Sequence, residues 1–240
     1  GWSASAFVGA FAMLWDTRLY DRRRNRWTLE AFLADGEQRF GGYDFIVFWH
    51  AYPLIGVDGR NQFDFYRDMP GGLAGLRDLA RECHRRGLRV FLDYNPWDTS
   101  TRREGVPDED AMARLVSEIE ADGVFLDTLE KGSDALRQRV DAVRPGVAFE
   151  TEVPVPLEHL GGHQMSWVEH WNERQPTDPP GILRNKWVER RHLHHRVARF
   201  NRDHTMELHS AWMNGCGMLV WENVFGSEFL WSPRDQSLLR

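Results

Sequence analysis

Residues 109–129 read EDAMARLVSEIEADGVFLDTL, and their pattern decides the fold. Met112, Leu115, Val116 and Ile119 recur at three- and four-residue spacing, which places them on one face of a helix. At Gly123 the pattern changes. Gly123 to Leu129 is a short, nearly continuous apolar run interrupted by Asp127 and Thr128, of the kind expected for a strand covered on both faces. A helix followed at once by a buried strand is one turn of a β/α repeat.

The same alternation extends in both directions. Upstream, Ala6 to Trp15, Tyr43 to Tyr52 (YDFIVFWHAY) and Leu88 to Asn95 (LRVFLDYN) read as strands, with helical patterns at Thr28 to Phe40 and Gly72 to Arg86. Downstream, Gly146 to Val153 (GVAFETEV), Gln164 to His170 (QMSWVEH) and Gly217 to Glu222 (GMLVWE) read as strands. Ser133 to Val143, Asn185 to Phe200 and His204 to Met213 read as helices. Regular strand-then-helix order predicts a parallel sheet. No Gly-rich phosphate loop follows the first strand, as a dinucleotide-binding open sheet would have. Polar residues gather instead at strand C-termini, where barrel enzymes keep their sites. The expectation is an α/β fold, a (β/α)8 TIM barrel truncated after its seventh strand. Residues 1–240 would form one barrel domain, a fragment of a longer chain.

The chain's 240 residues are close to the about 250 of a whole barrel. A formal charge of -6 argues against broad attraction to nucleic acid. Ser3 to Trp15 is too short to cross a bilayer and lacks the basic start of a signal peptide. Cys83 and Cys216 have no metal spacing and are expected to be buried thiols. Localisation and oligomeric state stay open.

The strand ends carry the chemistry. They read Trp49-His50-Ala51-Tyr52, Asp93-Tyr94-Asn95-Pro96-Trp97, Asp127-Thr128, Glu150-Thr151-Glu152, Trp167-Val168-Glu169-His170-Trp171 and Trp221-Glu222-Asn223. In a parallel barrel all converge on one rim. Side chains alternate faces along a strand, so Gly123, Phe125 and Asp127 share one face, and Ala148, Glu150 and Glu152 share another. With both faces assigned to the interior, adjacent strands at about 4.8 Å present carboxylates to one mouth. They could approach the roughly 5–5.5 Å separation that retaining glycosidases use. A strand-end cap is the plain structural reading of Asp127, and a salt bridge that of Glu150 and Glu152. Trp49, Trp97, Trp167, Trp171 and Trp221 sit at or just past strand ends, where flat rings suit the C–H faces of sugars. His192, His194, His195 and His204 fall in segments read as helical. Leu193, Val197 and Phe200 mark the inward stripe there, which leaves His192 and His195 to its flanks or to solvent. No acidic residue completes a metal spacing, and no metal site is expected.

Gly123-Val124-Phe125-Leu126-Asp127 resembles the fourth-strand motif of the α-amylase and α-galactosidase superfamily of barrel glycosidases. Asp93-Tyr94-Asn95 resembles that group's substrate-contacting third strand. The resemblance covers roughly residues 6 to 223 and implies that Asp127 is the nucleophile. It implies an acid/base at Glu152 or Glu150 in an α-amylase-like arrangement, or at Glu169 in an α-galactosidase-like one. Departures mark an outlying family: Phe125 stands where an α-amylase motif carries Arg, Pro96-Trp97 replaces Asn-His, and Trp221-Glu222-Asn223 lacks His-Asp. The expected activity is retaining hydrolysis of α-glycosidic bonds with no cofactor, and the expected partner is a carbohydrate rather than nucleic acid or membrane. Asp127, Glu152 and Glu150 form the catalytic set. Trp49, His50, Tyr52, Asp93, Asn95, Trp97, Trp167, Glu169, His170, Trp221 and Glu222 would contact substrate. Two alternatives stand beside this: a non-catalytic carbohydrate-binding barrel, and a metal-dependent hydrolase using His50, Asp93, Glu152, His170 and Glu222.

Overall fold

A computed structural model describes residues 1–50, 56–96, 102–169 and 181–240; for Glu169 and residues 181–183 the description is limited to backbone. Eight parallel strands close into a barrel. They are β1 (Val8–Met13), β2 (Phe45–Trp49), β3 (Arg89–Tyr94), β4 (Gly123–Leu126), β5 (Ala148–Thr151), β6 (Met165–Glu169), β7 (Leu193–Val197) and β8 (Gly217–Val220). Each strand pairs with the next in sequence, and β1 closes on β8 through Val8↔Met218, Gly9↔Leu219 and Ala10↔Val220. The outer helices are α1 (Leu29–Phe40), α2 (Gln62–Arg67), α3 (Gly72–Arg85), α4 (Asp108–Ile119), α5 (Asp134–Val143), α6 (Gly181–Val188), α7 (Thr205–Asn214) and α8 (Pro233–Leu239).

One expectation is corrected here. The barrel does not stop after seven strands, because the stretch read as a helix over Asn185 to Phe200 contains α6, which ends at Val188, and then β7. Leu193, His195 and Val197 point inward on β7, while His194 and Arg196 point outward yet are equally buried. A strand whose outer face is covered by polar groups that pair with one another hides its period behind composition.

The sequence pattern explains the local structure elsewhere. In α4, Met112, Leu115, Val116 and Ile119 are buried, Asp108, Glu109 and Asp110 occupy the first turn, and Glu120 ends the helix in a left-handed conformation. The acidic residues of the first turn complement the partial positive charge of the exposed amides at the helix N-terminus. Ser133 caps α5 by accepting from the Leu136 amide, and Asn61 and Asp64 form a reciprocal capping box on α2.

Alternation sorts the core into two shells. Ile46, Phe48, Val90, Leu92, Val124 and Leu126 pack outward against the helices. Phe11, Val47, Phe91, Phe125, Met165 and Leu219 fill the interior. Gly123 lies under Phe91, where a Cβ would stand 2.2 Å from the ring, so that position excludes any larger residue unless Phe91 moves. Cys83 and Cys216 are buried free thiols, and burial pushes Cys83 up to about 12.

Candidate active site

The β4–β5 register sets Phe125 beside Glu150. Carried two residues further, past the end of both strands, it brings Asp127 beside Glu152; the Glu152 amide donating to Leu126 O at 3.2 Å marks the last step. Both carboxylates line one cavity of about 180 Å³ at the C-terminal end of the barrel, together with Thr128 and Arg199. Its apolar wall is Phe11, Trp49, Phe125, Trp167, Trp221 and Phe225. The inward parity read for Gly123, Phe125 and Asp127, and for Ala148, Glu150 and Glu152, is the parity of the structure.

Asp127 is held from β3. The Asn95 side-chain amide donates to Asp127 Oδ2 at 3.0 Å, and the Asp127 amide donates to Tyr94 O at 3.0 Å. Asn95 is itself fixed by Gln62, which accepts from the Asn95 amide and donates to the Asn95 carbonyl. This fixes the side chain of a nearly buried carboxylate before any ligand arrives.

Glu152 is held more tightly. Arg199 Nη2 donates to Oε1 at 2.7 Å, and the Thr128 amide donates to Oε2 at 2.5 Å. Arg199 lies over Trp221, 5.0 Å from the ring centre, so the guanidinium is packed as well as paired. Arg199 was not anticipated. It continues the inward series Leu193, His195, Val197, and a period-two reading of that stretch would have found it.

Glu150 sits one layer lower and is corrected out of the cup. It is fully buried, and Oε1 lies 2.6 Å from His195 Nδ1. His195 Nε2 lies 2.8 Å from Ala6 O, which can only accept, so Nε2 carries a hydrogen and Nδ1 is the nitrogen that faces Glu150.

Asp93 and His50 form a second buried pair, with Asp93 Oδ2 3.1 Å from His50 Nε2 but no well-formed hydrogen bond between them. Burial, then the charges of Asp127 and Glu152, push the Asp93 carboxyl well above the usual carboxylate range, against a smaller opposing contribution from Trp49. Burial pushes His50 down to about 4. Both shifts disfavour the charged forms, so burial works against a salt bridge between the two. Neither residue is among those lining this cavity, although Asp93 continues the inward series of Phe91.

Glu222 is the clearest misplacement. It belongs to the outward series Met218, Val220, Glu222, and its oxygens accept from Arg39 at 2.6 and 2.5 Å, from Arg18 at 3.2 Å and from the Trp231 amide at 2.9 Å. That places it under α1 and α8, away from the cup, and separates it from Glu152 of the metal alternative. Among the described residues no group of three or more metal-ligating side chains is assembled.

Of the tryptophans, Trp49, Trp167 and Trp221 do reach the cavity, but as its floor: Trp167 stacks on Phe125 at 4.2 Å and Trp221 meets Phe11 at 4.5 Å. Tyr52, Trp97, His170 and Trp171 lie outside the described residues. Glu169 ends β6 in the series Met165, Trp167, Glu169 and pairs in register with Val197.

The architecture so defined is a closed parallel (β/α)8 barrel with carboxylates on its C-terminal rim. No model of a known protein family matches the sequence, and no curated protein matches it. Among solved structures the chain is similar to an Anoxybacillus α-amylase described as giving insight into a new glycosyl hydrolase subclass, with a TM-score of 0.54, 14% identity, and all of this chain aligned to 77% of that one. A pullulanase of Group B Streptococcus aligns with 68% of this chain over 32% of its own length, at a TM-score of 0.43 and 16% identity. The α-amylase likeness shows a shared TIM-barrel fold.

Proposed function

We propose that the chain is a retaining glycoside hydrolase acting on α-linked sugars, with Asp127 as nucleophile. One observation carries the reading: Asp127 and Glu152, from adjacent strands, share a tryptophan-floored cavity at the end of the barrel where such enzymes work. Asp127 would attack the anomeric carbon with its orientation set by Asn95, displacing the leaving oxygen, and water would then release the sugar from the ester. Proton delivery to the leaving oxygen is assigned to Glu169, whose backbone ends β6 at the same rim. Glu150 is engaged by His195 a layer below, and the two oxygens of Glu152 already accept from Arg199 and from the Thr128 amide. No cofactor enters this scheme.

The test is trapping. Incubation with 2-deoxy-2-fluoro-α-glycosyl fluorides should add one sugar mass to the peptide bearing Asp127, and Asp127→Asn should abolish the adduct. An adduct on another residue, or turnover by Asp127→Asn, removes Asp127 from the role. The Glu152–Arg199 ion pair favours one second reading, a barrel that binds sugar without cleaving it. That reading predicts saturable sugar binding with no adduct and no released sugar.

A further inference from the structure

Four described residues other than glycine adopt a positive φ: Asn25, Glu120, Thr128 and Phe225. Asn25 and Phe225 turn the small hairpins Tyr20–Asp21/Arg26–Trp27 and Asn223–Val224/Ser227–Glu228, and Glu120 ends a helix. Thr128, at φ 62°, does neither. It is β-branched, the type of side chain least suited to that region, and it directly follows Asp127. Such a conformation persists only where its surroundings over-determine it. Two sets of bonds surround it: the Leu129 amide closes the turn on Leu126 O at 3.2 Å, and the Thr128 amide donates to Glu152 Oε2, whose other oxygen is anchored by Arg199.

We infer that Glu152 is a positioning residue, whose carboxylate, braced by Arg199, holds the Asp127–Thr128 turn in the left-handed geometry that presents Asp127 to the cup. The inference rests on the reading of Asp127 as nucleophile and departs from the acid/base role that the strand-five position implies. Chemically the chain runs from β7 to β5 to β4: guanidinium to carboxylate, carboxylate to backbone amide, amide to the peptide that carries the nucleophile. A carboxylate oxygen is the strongest neutral-pH acceptor available to that amide, and a glutamine cannot serve both donors, because its NH2 would face one of them.

Two kinds of measurement separate this role from general acid catalysis. In Glu152→Ala, kcat should fall on the order of 10²-fold with KM little changed, as expected for a displaced nucleophile. The loss should be similar for activated aryl and unactivated leaving groups and should resist rescue by azide. Thr128→Gly in the Glu152→Ala background should restore at least about tenfold, because glycine adopts φ > 0 without strain. A loss that vanishes with an activated leaving group, azide rescue, or no recovery from Thr128→Gly overturns the inference. Glu152→Gln serves the same purpose if the alanine variant does not fold. The second measurement needs no activity. In threonine-labelled protein, the Thr128 13Cα and 13Cβ shifts should leave the left-handed range when Glu152 is replaced; unmoved shifts overturn the inference. Absence of turnover and of the trapped adduct in the unsubstituted protein would count against the glycosidase reading, while the shifts still decide the role of Glu152.

Discussion

Glu152, just past the end of β5, and Glu222, just past the end of β8, are both nearly buried carboxylates engaged by arginine, and both close a strand that ends near the rim. One lines the cup and the other braces the helices. The difference is parity. Glu152 continues Ala148 and Glu150, whose side chains point inward, whereas Glu222 continues Met218 and Val220, which pack outward with Phe40 and Trp231. Strand-end position brings a residue to the rim, and only the count from an assigned core residue says which side of the wall it faces.

Substitutions on the two sides should separate activity from stability. The largest effect belongs to the cup: if Asp127 has the proposed nucleophile role, Asp127→Asn should lower kcat/KM by at least about 10³-fold, with the thermal midpoint close to that of the unsubstituted protein. Steady-state kinetics beside calorimetry check both halves, and a variant that loses stability along with activity would place Asp127 in the scaffold instead. The next effect belongs to the wall. Glu222→Ala leaves Arg39 and Arg18 facing each other without their shared acceptor and strands the Trp231 amide. Breaking a buried pair from one side costs about 3–5 kcal/mol; the partial exposure of Arg18 argues for the lower end, about 3 kcal/mol. Urea denaturation should show that loss, with kcat at pH 7 within about threefold. A Glu222→Ala protein that is stable but inactive would erase the distinction between the two carboxylates.

How far the sequence could be read follows from the same rule. The strand–helix alternation was legible because runs such as Gly123 to Leu126 are continuously apolar beside strongly periodic helices, and the inward faces of β4 and β5 because a carboxylate marks the end of each. β7 was not. His192, His194 and Arg196 fill its outward face, so the stretch looks polar and helical to a reading that expects apolar runs on a buried strand. With β7 went Arg199, the residue that anchors Glu152. The Glu150–His195 pair was hidden for a different reason. Distance into the barrel is a tertiary quantity, and two residues of spacing turn a cup carboxylate into a buried one. Glu222 was misread because its strand end was counted and its parity was not.

β7 offers the finest form of the comparison, since its histidines face both ways. On the outside, His192 Nδ1 lies 3.0 Å from His163 O and so carries a hydrogen. Its Nε2 then accepts from Ser166 Oγ at 2.8 Å, and Ser166 Oγ accepts from His194 Nδ1 at 3.1 Å. Burial pushes His192 down to about 4 and His194 to about 2. Because these folded-state values lie below the unfolded 6.5, the unfolded chain binds more protons as pH falls, and stability is lost progressively from about pH 6.5 downward. His194→Asn keeps a donor near the Nδ1 position but cannot titrate. Its unfolding free energy should fall less between pH 6.5 and pH 4.5 than that of the unsubstituted protein, by on the order of 2 kcal/mol. Parallel urea titrations at the two pH values measure that difference. Equal slopes for the two proteins would mean that His194 does not contribute its burial to the acid sensitivity of the fold, and that the outward face of β7 is less closed to protons than its packing implies.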